Sequence, residues 1–135
     1  MSTIALDVVT PNGSVFTDDN CEIVILESTQ GELGVMAGHV PTVTPLKIGS
    51  VKAKIDGQFE YLAITDGFAE IRGDKVTVLT QAAEFADDID TDRALAARKR
   101  AEELLKRAQE EEIDEVRAEL AFQRAINRLN IAQFK

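Results

Sequence analysis

All eight glycines and all three prolines of this 135-residue chain fall at or before Gly73, and the 62 residues that follow contain neither. Glycine and proline are the residues that interrupt regular elements and build turns. Their distribution divides the chain into a part that must turn often and a part with no strong means of turning.

The first part reads as strands. IALDVV (4–9), CEIVIL (21–26), SVKAKI (50–55), FEYLAIT (59–65), FAEIR (68–72) and KVTVLT (75–80) are short, rich in Val, Ile and Thr, and mostly alternating. Pro11-Asn12-Gly13, Asp56-Gly57, Asp66-Gly67 and Arg72-Gly73-Asp74 punctuate them, and Asp56-Gly57 is the clearest hairpin signal. Short strands at this spacing, with no helix-length periodic run among them, predict an antiparallel sandwich or barrel.

The second part has helical period. Ala94, Ala97, Ala101, Leu104, Leu105 and Ala108 follow i, i+3, i+4 spacing, and Ala118, Ala121, Phe122, Ala125 and Leu129 do so again. Small alanines let two helices approach closely, which predicts a helical hairpin. Asp90 and Asp114 are placed to cap its helices. The bend falls in QEEEIDE (109–115), where Glu110 and Asp114, and Glu111 and Glu115, are like charges four apart. Each such pair weakens a helix by only about 0.2–0.5 kcal/mol. So weak a break leaves two arrangements open, a hairpin that stays folded and one that can straighten.

Charge divides at the same place. Residues 1–88 carry 14 acids against 5 bases, and 89–135 carry 10 of each, so the whole net charge of −9 lies in the first segment. Two domains, 1–88 and 89–135, are expected. The acidic balance disfavours nucleic acid as the main partner. No apolar run approaches the roughly 18 residues of a membrane span, and MSTIALDVV lacks the pattern of a secretory leader, so a cytosolic or membrane-peripheral protein is expected. The single cysteine, Cys21, sits in an apolar run and reads as core filling, and His39, the only histidine, has no second histidine or cysteine near it for zinc or thiol chemistry.

The residues with the most chemical potential are arginines. Arg93, Arg100 and Arg107 are spaced by seven, and Arg117, Arg124 and Arg128 by seven and four, so each set lines one helix face. Arginine suits planar carboxylate or phosphate partners. A folded hairpin could bring Arg93 and Arg100 together with Arg124 or Arg128 as a phosphate-sized cluster; an extended one would show both stripes to an acidic surface; a solvated face with i, i+4 ion pairs is the third possibility. No GxxxxGK[ST] loop or GxGxxG at a strand-to-helix junction accompanies them, and no isolated carboxylate pair offers acid–base catalysis. GELGVMAGHVP (31–41) is glycine-rich, but the proline-broken, extended VPTVTPL (40–46) follows it rather than a helix, so it reads as a shaped surface loop.

LDVVTPNGSVF (6–16), GELGVMAGHVPTVTPLKIG (31–49), DGFAEI (66–71), VTVLTQAAE (76–84), IDTDRA (89–94) and AELAFQRAINRL (118–129) together resemble the epsilon subunit of the bacterial rotary ATP synthase. That resemblance implies a ten-stranded β-sandwich followed by two C-terminal helices able to extend. It implies a non-catalytic central-stalk subunit on the cytoplasmic face of the cell membrane, coupling proton or sodium flow to the catalytic head. Its partners would be the gamma subunit, the ring of c subunits and, with the helices extended, the beta and alpha subunits, whose ATP hydrolysis it restrains. Glu32 and His39 would lie at subunit interfaces, with loop packing the other reading of His39. IDTDRA completes the I-D-x-x-R-A motif through which some members bind regulatory ATP, with or without magnesium, in the folded form. By that similarity Asp90 and the Ile89 backbone meet adenine with Glu84 nearby, Ala94 leaves room for the base, and Arg93 and Arg100 bind phosphates, with Arg124 and Arg128 as further candidates. Two other classes are compatible with the residues alone, a free-standing nucleotide-binding enzyme and a plain helical adaptor.

Overall fold

The computed structural model describes residues 2–107 and 114–134. Ala108 and most of the bend expected at 109–115 lie outside these residues. Nine strands come first: β1 (Ile4–Thr10), β2 (Gly13–Cys21), β3 (Ile23–Ser28), β4 (Gly31–Val35), β5 (Thr42–Ile55), β6 (Gln58–Ile64), β7 (Gly67–Ile71), β8 (Lys75–Thr80) and β9 (Ala83–Phe85). A 3-10 turn at Ala86–Asp88 leads to helices α1 (Thr91–Arg107) and α2 (Glu115–Ala132).

The strands fold into a two-layer sandwich through β5. Its first part, Thr42 to Leu46, pairs with β7, while its second part, Gly49 to Ile55, pairs with β6. One layer runs β2-β1-β8-β7-β5, and the same β5 continues into a layer with β3, β4, β6 and β9. The strand count is therefore nine among the described residues rather than the expected ten, because β5 bends and serves both layers without a break. Alternate side chains meet between the layers: Ile4, Leu6 and Val8 of β1, Val76 and Val78 of β8, Val24 and Leu26 of β3, and Leu62 of β6 are fully buried. Burying side chains of this size contributes about 1.5–3 kcal/mol each. Phe16 of β2 stacks on Phe85 of β9 at 6.0 Å between ring centroids, closing one side.

Asp56-Gly57 forms the expected two-residue hairpin turn. Both residues have positive φ (51° and 80°), and Ile55 faces Gln58 across it. Three strands carry no signal that alternation could detect. β2 and β4 are sheet edges and mostly exposed, so neither needs a buried face, and β9 is three residues long. GELGVMAGHVP is accordingly not a loop throughout: its first five residues are β4, and only 36–41 turn. VPTVTPL likewise supplies the start of β5, with the Pro45 carbonyl accepting from Thr29 N at 3.2 Å. The sheet is not purely antiparallel either, since β1 and β8 pair in parallel through Leu6–Val76 and Val8–Val78. Chain ends of a domain can meet this way because no tight turn has to connect them.

The helices begin as expected. Asp90 Oδ1 accepts from Arg93 N and Asp114 Oδ1 from Arg117 N, each at 3.1 Å. Ala94 and Ala101 on α1, and Ala118 and Ala125 on α2, are buried where the helices pack on one another. Both pairs are spaced by seven, so each helix presents a seam of small residues. Leu104, expected on the apolar face, is instead 38% exposed.

Candidate functional site

The contact between helices and sandwich runs through α2. Ala63 of β6 is buried although its neighbours Leu62 and Ile64 fill the sandwich core, so β6 is covered on both faces. Ala63 forms a second apolar cluster with Ala86, Ile89, Ile131 and Ala132, and Tyr61 packs against it. Ile89, in the segment joining the two parts, is thus an anchor side chain with 1% of its surface exposed. The packing partner of α1 is α2, which in turn contacts β5, β6 and the 3-10 turn.

Polar groups set the position of α2 on this surface. Asn127 Nδ2 donates to Gly49 O at 2.8 Å and to Ile64 O at 3.3 Å. Gly49 and Ile64 face each other on the last rung of the β5–β6 ladder, so one side-chain amide satisfies carbonyls of both strands. The adjacent backbone is held from the other side by Glu27, whose carboxylate accepts from Ser50 N and, at 3.3 Å, from Ser50 Oγ. Arg128 pairs with Glu84 of β9, Nε to Oε1 at 2.5 Å and Nη2 donating to Oε2 at 3.1 Å. The Nη2 contact has hydrogen-bond geometry, while the buried Nε meets Oε1 as an ion pair without it.

Beside these contacts lies a pocket of about 240 Å³, whose lining includes Ala63, Thr65, Glu84, Arg124, Asn127 and Arg128. Three residues singled out from the sequence, Glu84, Arg124 and Arg128, therefore come together here. The others do not line it. Ile89 and Ala94 are buried in packing, while Asp90, Arg93 and Arg100 are exposed on or before α1. Asp90 is engaged in capping α1. Two guanidinium groups suit the pocket to an anion, and an anion binding there would compete with Glu84 for Arg128. The volume is below the roughly 300–1,000 Å³ of pockets that enclose a small molecule. It is large enough for a small anion and too small to enclose a larger ligand.

The remaining candidates are on the sandwich. Glu32 is exposed on edge strand β4, with its carboxylate 3.9 Å from Lys52 Nζ. His39 is half-buried in the 36–41 turn; its Nδ1 is 2.7 Å from Val40 O and its N donates to Met36 O at 3.2 Å. Gly38 N ties the turn to Gly73 O at 2.8 Å, leaving Met36 and Val40 60% and 70% exposed. Across the outer face of the first layer, Pro45, Phe68, Leu79 and Val9 stand in register on β5, β7, β8 and β1. Phe68 and Leu79 are about half exposed, and Val43 beside them more so. An apolar row of this kind, like Asn127, was not singled out from the sequence. The sequence signal for Asn127 is a poor helix former inside a helical stretch.

Cys21 is fully buried, and burial, reinforced by Asp18 and Asp19, pushes its thiol from 9.0 up to about 11. That keeps it protonated and unreactive at neutral pH. Among the described residues no three His, Cys, Asp or Glu side chains gather to hold a metal ion, and no helix is long and apolar enough to cross a membrane.

Comparison with known proteins supplies the assignment. The family described as "ATP synthase, Delta/Epsilon chain, beta-sandwich domain" matches residues 3–86, and "ATP synthase, Delta/Epsilon chain, long alpha-helix domain" matches residues 87–133. The ATP synthase epsilon chains of Staphylococcus aureus strains JH9 and Newman are each 50% identical over 135 residues, covering 100% of this chain and of each relative. The fold is shared with a chain in the Euglena gracilis mitochondrial ATP synthase OSCP/F1/c-ring structure (TM-score 0.77, 22% identity, covering 100% of this chain and 83% of that one). It is also shared with a chain of the Tetrahymena thermophila mitochondrial ATP synthase central stalk/c-ring (TM-score 0.54, 11% identity, 67% and 72% covered). With both domains matched in order and full-length relatives at half identity, the chain belongs to the ATP synthase delta/epsilon family, as one of its epsilon chains.

Proposed function

We propose that this chain is a non-catalytic coupling and regulatory subunit of the central stalk, peripheral to the membrane on its cytoplasmic face. In this reading the sandwich joins the gamma subunit and the c-ring, through surfaces that include Glu32, the His39 turn and the apolar row at Phe68 and Leu79. The helical part restrains ATP hydrolysis by the beta and alpha subunits when it extends, and leaves them free when it is docked on the sandwich.

The observation that carries the brake is how α2 is held. Among the described residues, the hydrogen bonds and ion pair from α2 to the sandwich come from Asn127 and Arg128, and α1 packs chiefly on α2. Such an attachment is worth a few kcal/mol, not the tens that would make the hairpin a permanent part of the core. A ligand that binds the docked state alone would then shift the balance: at ten times its Kd it contributes about 1.4 kcal/mol.

ATP is the ligand we assign. Arg124 and Arg128 offer its phosphates a cationic pocket, and the complete IDTDRA segment places Ile89, Asp90, Arg93 and Ala94 at the neighbouring start of α1, with Arg100 two turns on. Calorimetric titration of ATP into the purified chain, with and without magnesium, tests this. Saturable heat that disappears in the Asp90→Ala/Arg93→Ala double variant supports the site; no heat at millimolar ATP removes it.

A further inference from the structure

Leu120 and Gln123 of α2 border β5, but among the described residues the hydrogen bonds, the ion pair and the apolar cluster that join α2 to the sandwich fall in its last two turns. Asn127, Arg128, Ile131 and Ala132 make them, and just beyond the helix Phe134 makes one more. Phe134 N donates to Ile131 O at 3.0 Å, which turns the chain after α2 back toward β6. Its ring lies on Tyr61 with centroids 4.0 Å apart and planes 27° from parallel, and Tyr61 in turn stacks on Phe59 at 6.3 Å. Phe134 and Phe59 remain 49% and 42% exposed, so the stack sits at the rim of the Ile89 cluster rather than inside it. Inside the cluster, the other side chains are alanines and two isoleucines. The largest apolar group that the helical part lays on the sandwich there is thus Phe134.

We propose that the Phe134–Tyr61 stack is a latch that sets how often α2 lifts from the sandwich. Where the anchor points of a helix crowd together, the group at the exposed rim of that cluster is the one water reaches first, so pinning it suppresses opening out of proportion to the area it covers. The latch opens when the Phe134 ring leaves Tyr61, which exposes Ile131 and Ala132 next and Asn127 after them. Its effect on ATP hydrolysis rests on the brake proposed above; the latch itself does not.

The chain has one tyrosine and no tryptophan, so its intrinsic emission reports Tyr61 alone. In Phe134→Ala, acrylamide should quench that emission more strongly, and amides of α2 should exchange about 2- to 10-fold faster, the range expected for losing one aromatic pair. Phe134→Leu, which keeps apolar cover without the ring, should fall between. Amides of β1, β3 and β8 should be unchanged. Unaltered α2 exchange in Phe134→Ala overturns the latch, and so does equal acceleration of strands and helix, which would mean general destabilisation. In the assembled complex Phe134→Ala should lower ATP hydrolysis. Faster α2 exchange with unchanged hydrolysis supports the latch and counts against the brake.

Discussion

Replacing Asn127 with alanine removes a side chain that satisfies carbonyls of two strands at once. Its amide donates to Gly49 O at 2.8 Å and Ile64 O at 3.3 Å, at the end of the β5–β6 ladder. A net intramolecular hydrogen bond is worth about 0.5–1.5 kcal/mol, so two give about 1–3 kcal/mol. The lower half of that range applies, because the second bond is long and Asn127 is only half-buried, so water reaches the freed carbonyls. A loss of about 1.4 kcal/mol multiplies the undocked fraction tenfold. None of this loss falls on the sandwich core, whose fully buried residues Asn127 does not join. Hydrogen exchange followed by mass spectrometry should show amides of α2 exchanging about tenfold faster in Asn127→Ala, with those of β1, β3 and β8 unchanged. Asn127→Asp should be worse, since it has no donor and sets a charge against two carbonyl dipoles. Unchanged α2 exchange in both variants, or an aspartate variant better docked than the alanine one, would refute the reasoning.

The Glu84–Arg128 pair is about a third exposed and should contribute up to about 1 kcal/mol to docking. Glu84→Gln should therefore weaken docking modestly at low salt and have less effect at 1 M salt, as exchange of α2 would show. Two glycines should differ sharply. A methyl at Gly67 would strike the backbone carbonyl of Leu79 on the paired strand, whereas at Gly49 it would meet the end of the Glu27 side chain. Gly67→Ala should lower the melting temperature of the sandwich by roughly 5–20 °C, for about 1–3 kcal/mol of overpacking. Gly49→Ala should cost less and act chiefly on α2 docking through the displaced carboxylate. Cys21 should react with a thiol reagent at pH 8 at least about a hundredfold more slowly than in the unfolded chain, since its thiol ionises near 11 instead of 9.0. The unfolded thiol loses its proton first, so this group's contribution to stability is complete below pH 9 and is lost as pH rises toward 11. Fast labelling of the native chain would contradict the burial.

Much of the fold was legible because residues 4–80 alternate wherever a strand has one buried face. Where a strand has none, as in β2 and β4 at the sheet edges, alternation is not required and the strand is silent in the sequence. The bend of β5 was equally hidden: Pro45 interrupts the apolar pattern, yet the strand continues through it and changes layers. The alanine seams of α1 and α2 could be read from spacing, because close helix packing demands small residues at fixed intervals. The site was legible only in part. Arginine spacing gives the face of a helix but not which helix lies next to the sheet, so Arg124 and Arg128 reach the pocket while Arg93 and Arg100 remain on the exposed side of α1. Asn127 matters through its distance to two backbone carbonyls, and no pattern along one chain encodes that distance.

In the proposed function the helical part is a detachable brake on the catalytic head. This role is tested most directly by the ATP hydrolysis rate of the complex assembled with residues 1–88 in place of the full chain. The complex should still assemble and hydrolyse ATP faster, with added ATP no longer relieving any restraint. An assembled complex whose hydrolysis is unchanged would contradict it.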